Sequence, residues 1–223
     1  MNSILVLCPL KKELEAVIEA LSELGLSFEK KQDQGRWYFI NDQYNLYLST
    51  GGHGKTQFGI GSQFWINKFK PNTFISMGAA GAIDSELNVL DVVIASQIIE
   101  HDYKEKFNPN EPLPTFDCLV PEFYFSETIS FKIHTGILTS GDEDIVSNER
   151  ASELYEKTKA LAVAWESVGG VRAAQFNNLK YFEFRGLTDN ARDNVASQFV
   201  ENLKPAMKNC SLVLWNLLSN KIL

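Results

Sequence analysis

The side chains best placed to do chemistry are carboxylates at the ends of apolar runs. In "AVAWESVGGVRAAQF", residues 162–176, Glu166 stands between Trp165 and the small residues Ser167, Gly169 and Gly170. A glutamate is rarely buried unless something pairs with it or uses it, so the stretch marks a candidate site. Other apolar runs end in polar or glycine-rich clusters. These are "CPLKKE" with Glu13, "STGGHGK" with His53, "SMGAAGA" with Gly78 and Ala79, "TSGDED" with Asp144, and "RGLTDN" with Asp189. Carboxyl groups gathered at one site are suited to general acid and base work. His53, His101 and His134 share no metal-binding spacing such as HExxH, and Cys8, Cys118 and Cys210 are odd in number and far apart. The sequence therefore predicts no metal and no disulfide framework. Its glycines match neither GxGxxG nor a P-loop, which argues against a dinucleotide or ATP and leaves no cofactor to expect.

These clusters need a scaffold that brings strand ends together. "SILVLCPL" predicts a strand, followed by a helix in which Leu14, Val17, Ile18, Leu21 and Leu24 recur at helical spacing until Gly25. "RWYFIND" and "NLYLSTGG" predict a hairpin, and a helix follows "TGGHGK" to about Phe69. "NTFISMGAAGA", "DVVIASQII" and "HTGILTS" predict buried strands, and the proline-rich stretch from Lys106 to Phe123 predicts an irregular loop. "ERASELYEKTKA" predicts an amphipathic helix. Residues 162–176 read as a strand turning into a helix, "LKYFEFRGLTDNA" as a strand, and the C-terminal pattern as a long helix interrupted near Pro205. Alternation of this kind predicts an α/β fold, three-layer αβα, with a central mixed, largely parallel sheet; in such sheets ligands bind at the carboxyl ends of the strands.

Composition sets the outer bounds. At 223 residues, with 44% hydrophobic and 22% charged residues and no compositional break, the chain predicts one domain over residues 1–223. The net charge of -7 and the lack of a basic block exclude nucleic acid as a partner. No run is long enough to span a bilayer and the N-terminus lacks a secretory pattern, so the expectation is a cytoplasmic protein with no membrane partner.

Taken in order, "ILVLCPLKKEL", "STGGHGK", "FISMGAAGAI", "LNVLDVVIAS", "HDY", "ILTSGDEDI", "AVAWES" and "FRGLTDNA" resemble the nucleoside phosphorylase and nucleosidase superfamily. Within it they are most similar to the methylthioadenosine/S-adenosylhomocysteine nucleosidases. The resemblance covers most of the chain, and its specificity lies in the order and spacing of motifs that are each weak alone. It implies the nucleoside phosphorylase-like fold and cleavage of the N-ribosidic bond of a purine nucleoside. Residue by residue, it implies that Glu13 handles the attacking water, Glu166 binds the ribose hydroxyls and Asp189 protonates the departing base, with Arg185 at the family's arginine. Such cleavage builds positive charge on the sugar and negative charge on the base, so a carboxylate beside one and a carboxylic acid beside the other lower the barrier. Burial would hold Asp189 protonated near neutral pH. The resemblance also implies a homodimer, with a neighbour's loop near Phe107, and His101 of "EHDYK", serving the site.

The sequence departs from the family pattern at several of these positions. Ala164 stands where a second glutamate is common, and Ala79 where a serine is common. "SGDEDI" places Asp144, then Ile145, where an aromatic residue is expected beside the base. Loss of a hydroxyl at Ala79, and of an arginine in "CPLKKE", favours water over phosphate as acceptor. Lys11, Lys12 and His53 remain candidate anion contacts, so a phosphate-dependent phosphorylase is one alternative and a catalytically weak nucleoside-binding protein another. Simpler roles stand beside these. Glu13 suits a solvated helix face, Asp189 an N-cap of the last helix, Arg185 a structural partner for a carboxylate, and His53 a turn. Trp165 belongs to the core or lines a sugar pocket.

Overall fold

The computed structural model describes residues 2–108, 110–123, 125 and 128–223. Strand β1 (Ile4–Cys8) is wholly buried and lies between two parallel neighbours, β4 (Leu46–Thr50) and β5 (Thr73–Ala82). Its unbroken apolar character follows from burial on both faces. Helix α1 (Lys11–Glu23) runs back across the sheet and ends where Gly25 takes a φ of 95°, a conformation that favours glycine. The expected hairpin is β3 (Arg36–Asn41) with β4. A further strand, β2 (Glu29–Asp33), pairs with β3 through Gln34 and Gly35, both at positive φ. Hairpin turns of this hand match the strand twist.

Helix α2 (Lys55–Phe69) leads into β5, and β6 (Val92–Glu100) follows. The described residues of the proline-rich segment are irregular except for β7 (Thr115–Asp117), which adds to the edge of β6. Next come β8 (Ile133–Ser140), α3 (Asn148–Thr158), β9 (Ala162–Ala164), α4 (Ser167–Phe176), β10 (Lys180–Asp189) and α5 (Val195–Ser219). The sheet order is β10-β6-β8-β9-β5-β1-β4-β3-β2, and β10 also pairs with β5, which closes β10, β6, β8, β9 and β5 into a ring.

Helices cover both faces of this mixed sheet. On one side α1 and α5 bury Leu14, Val17, Leu21, Met207, Val213 and Leu214; on the other, α2 and α4 bury Phe58, Trp65, Val168 and Val171. The break expected near Pro205 is not present, and α5 runs through it. Proline removes one backbone donor and crowds the carbonyl four residues earlier. Here Pro205 and Glu201 are both exposed, so that carbonyl faces water.

Candidate active site

Five loops at the strand ends, after β1, β4, β8, β9 and β10, surround a cavity of about 470 Å³. Glu13 is brought there by the β1–α1 turn. It occupies the third position of α1, and its Oε2 accepts the backbone N–H of Leu10 at 2.7 Å while Oε1 accepts that of Ala79 at 2.9 Å. With only 2% of its surface exposed, Glu13 does not belong to a solvated helix face. Burial and the nearby charge of Glu166 push its carboxyl up to about 7.

Glu166 follows β9 directly. The strand end is fixed by the Ser140 hydroxyl, which donates to the Trp165 carbonyl at 2.9 Å. Glu166 Oε1 lies 2.9 Å from His53 Nδ1 and accepts the Gly54 N–H at 3.1 Å; Oε2 lies 3.5 Å from Arg185 Nη1. Burial works against its charge, but His53, Arg185 and Gly54 outweigh it and hold the carboxyl below its usual range. His53 stacks on Trp165 with ring centroids 4.5 Å apart and planes 25° apart. The positive φ of Gly52 and Gly54, 107° and 80°, shapes the loop that presents His53.

Asp189 closes β10. Its two oxygens accept from the Ala191 N–H at 2.9 Å and the Thr188 hydroxyl at 2.8 Å, and burial nonetheless raises its pKa. It does not cap α5, whose cap position is Asn194, without a side-chain bond. Burial thus moves Asp189 toward its neutral form, while the partners of Glu166 hold that carboxyl in its charged form.

Arg185 is fully buried and does not line the cavity. It lies behind the site, bonded to Glu183 Oε1 at 2.5 Å and to the Ala79 carbonyl at 3.2 Å, with the Ser76 and Ser167 hydroxyls at 3.3 and 3.4 Å. Glu183 also accepts the Tyr181 hydroxyl. The sequence did not single out Glu183, Tyr181 or Ser76, and it marked Ser167 only as a small neighbour of Glu166. The signal was there in "YFEFRG", where a glutamate and an arginine two apart share one face of an apolar strand.

Trp165, Ala79, Asp144, Ile145 and His53 line the cavity with the three acids, together with an apolar wall that includes Leu10, Val195, Phe199 and Val200. Gly78 does not line it; a side chain there would meet Arg185 at 2.7 Å and Pro9 at 2.9 Å, so its bareness admits the arginine. Gly169 and Gly170 make no room for a sugar either. They allow α4 to pack on the Lys55 carbonyl and the Tyr181 hydroxyl. His101 is buried against Thr139, while Phe107 is 96% exposed. Among the described residues no group of three His, Cys, Asp or Glu is placed to hold a metal ion.

Residues 3–219 match the sequence profile described as the phosphorylase superfamily. A 5′-methylthioadenosine/S-adenosylhomocysteine nucleosidase of Staphylococcus aureus (strain JH9) is 27% identical over 180 residues, covering 74% of this chain and 78% of that protein. The fold is similar to that of the Helicobacter pylori 5′-methylthioadenosine/S-adenosylhomocysteine nucleosidase, with a TM-score of 0.84 and 20% identity over 98% of each chain. It is also similar to the futalosine hydrolase of Helicobacter pylori strain 26695, with a TM-score of 0.83 and 19% identity over 98% of each chain.

Proposed function

This chain belongs to the phosphorylase superfamily, and from that membership we propose that it is a purine nucleosidase, a single domain over residues 1–223 hydrolysing the N-ribosidic bond of a methylthioadenosine- or adenosine-like nucleoside. The observation that carries this reading is one cavity holding three buried carboxyl groups with unlike protonation: Glu13 and Asp189 pushed up, Glu166 pushed down. Pairs of acids set apart in this way divide the acid and base roles of a reaction.

In the proposed step Glu166 accepts hydrogen bonds from the ribose hydroxyls and offsets the positive charge growing on the sugar. Glu13 takes a proton from water as the water oxygen bonds to C1′. The C1′–N bond breaks, and Asp189 gives its proton to the leaving purine. Arg185 acts through Glu166 and Glu13 as a positioning residue, since it does not line the cavity. No cofactor enters this scheme.

Water is preferred to phosphate on electrostatic grounds. The acidic side chains lining the cavity are Glu13, Glu143, Asp144, Glu166 and Asp189, against His53 alone as a basic one, so even with Glu13 and Asp189 shifted toward their neutral forms a phosphate dianion would be repelled. The test is a panel of purine nucleosides incubated with and without phosphate. Base released without phosphate is expected. Release only with phosphate would make the protein a phosphorylase, and saturable binding without release would make it a nucleoside-binding protein.

The same reading carries a homodimer in which a neighbour's segment near Phe107 closes the cavity. Its support is the exposure of Phe107 and of two apolar side chains on adjoining helices, Ile60 of α2 and Phe176 of α4. No helix among the described residues is long and apolar enough to cross a membrane. The free thiols of Cys8, Cys118 and Cys210 fit a cytoplasmic setting.

A further inference from the structure

Glu183, behind the cavity, has no part in the scheme above. It is fully buried, as is Arg185, and the two side chains leave the same face of β10. Glu183 Oε1 accepts from Arg185 Nε at 2.5 Å, from the Ser76 hydroxyl at 3.1 Å and from the Ser167 hydroxyl at 3.0 Å, and Oε2 accepts from the Tyr181 hydroxyl. Burial and Glu183 push the Tyr181 phenol up, so it keeps its proton and donates. Four donors converge on the group, which suits an ionised carboxylate. Both serines also accept from Arg185 Nη2, at 3.3 and 3.4 Å, and so tie the pair together.

A buried ion pair is a weak device for stability, because apolar side chains of the same volume often do as well. The geometry of this one leads to the candidate base. Arg185 crosses bare Gly78 of the facing strand, where an added Cβ would lie 2.7 Å from Nη1 and 3.1 Å from Glu13 Oε1. Nη1 donates to the Ala79 carbonyl at 3.2 Å, and the N–H of the same residue donates to Glu13 Oε1 at 2.9 Å. Held by Glu183 at one edge, the guanidinium therefore fixes the backbone that holds Glu13, and its charge bears on Glu13 and on Glu166.

We propose that Glu183 is a positioning residue for the water-activating step: it holds Arg185 against Ala79 and offsets the arginine's charge, and so keeps Glu13 basic enough to take a proton from water. This deepens the reading of Glu13 as the base and rests on it. Arg185 favours an ionised Glu13 and thereby weakens it as a base; Glu183, negative and on the far edge of the guanidinium, works the other way. The other titratable groups facing Glu13 are Glu166 after β9, His53 after β4, and the thiols of Cys8 in β1 and Cys210 in α5. Cys118, after β7, faces Glu183. Burial pushes all three thiols up, so none of them supplies a negative charge in place of Glu183.

The experiment reads the ascending limb of the pH profile of kcat/KM, near 7 in the wild type, in two variants. One is Glu183→Gln. The other exchanges Ser76→Glu with Glu183→Ser, which returns a carboxylate to Arg185 from the facing strand, where the Ser76 hydroxyl already lies 3.3 Å from Nη2. Removing a unit charge about 10 Å away, at an effective dielectric of about 20, shifts a carboxyl by roughly one pH unit. In Glu183→Gln the limb is expected to move down by that amount, with a lower plateau because Glu13 is then the weaker base. In the exchange variant it is expected to return to within about half a unit of the wild type. A limb unmoved in Glu183→Gln, whatever the rate, is what a merely structural role gives and overturns the proposal. So does a limb that stays low in the exchange variant, or failure of both variants to fold by circular dichroism, which would make Glu183 a residue of the core alone. If Glu183→Gln folds but turns over too slowly to profile, the shift is read from the pH dependence of the stability that Glu13→Gln adds, in the wild-type and Glu183→Gln backgrounds; equal dependences overturn the proposal. Failure of the underlying reading looks different: a limb that survives Glu13→Gln, or a wild type that releases no base, removes Glu13 as the base and this proposal with it.

Discussion

Glu13 and Glu166 both lie within the field of Arg185, yet their carboxyl groups are pushed in opposite directions. Glu166 has a histidine at one oxygen and the arginine near the other; Glu13 has two backbone N–H groups, heavy burial and Glu166 itself as a neighbour. The consequence is a rate that rises as Glu13 ionises. The pH profile of kcat/KM is expected to have an ascending limb near 7, and Glu13→Gln should abolish most of the rate and that limb together. A variant with wild-type turnover would remove Glu13 from the water-activating role. Stability should move the other way. A carboxyl raised from 4.5 to about 7 on folding contributes stability that is complete below 4.5 and lost as pH rises through 7. Relative to wild type, Glu13→Gln should therefore gain thermal stability at pH 8, by an amount on the order of 3 kcal/mol before relaxation, and little at pH 4. At the other end of the cavity, Asp189→Asn should lower kcat by roughly 10²–10⁴-fold with the fold intact by circular dichroism; unchanged turnover would assign the proton donor elsewhere.

Between elements, the tightest constraint is the approach of α4 to its neighbours. A Cβ on Gly170 would stand 2.5 Å from the Tyr181 hydroxyl, the group that bonds Glu183. Gly170→Ala is thus expected to destabilise the protein by about 1–3 kcal/mol, and to disturb Arg185 through Glu183, although neither change touches the cavity. Denaturant unfolding at a wild-type midpoint would show that Tyr181 yields freely. This packing was half legible in "ESVGGV": two adjacent small residues inside a helix signal a close approach, but not which neighbour makes it. Strands with two buried faces, such as β1, β5 and β10, could be read because apolar runs record burial directly. Strand β2, "EKKQD", could not, since an exposed edge with no apolar side chain has no periodic signal and is defined by its pairing to β3. The run of α5 through Pro205 was hidden for a related reason: proline's cost depends on whether water reaches one carbonyl, which local sequence does not state. For the site, residue types at strand ends were legible, while the buried support of Arg185 depends on strands far apart in the chain.

For the whole molecule, the proposed assembly predicts a mass near twice that of the chain in light scattering at micromolar concentration, and a substitution of Phe176 by aspartate should shift it toward one. A wild-type monomer with full activity would show that the cavity needs no neighbour. Chain order carries a different consequence. The apolar face of α1, near the N-terminus, is covered by α5, the last element, and the pairs Lys204–Glu19 and Lys208–Glu23 that edge this contact each span 185 residues. At a synthesis rate of roughly 5–20 residues per second, about 10–40 s separate the emergence of the two helices from the ribosome. Throughout that interval β1 and β4 can meet Leu14, Val17 and Leu21, but the part of the α1 face that α5 covers stays open to water. A chain stopped ahead of α5 is therefore expected to lose solubility relative to the full chain, read as its share of the pellet after lysis, even though every carboxylate of the cavity has already been made.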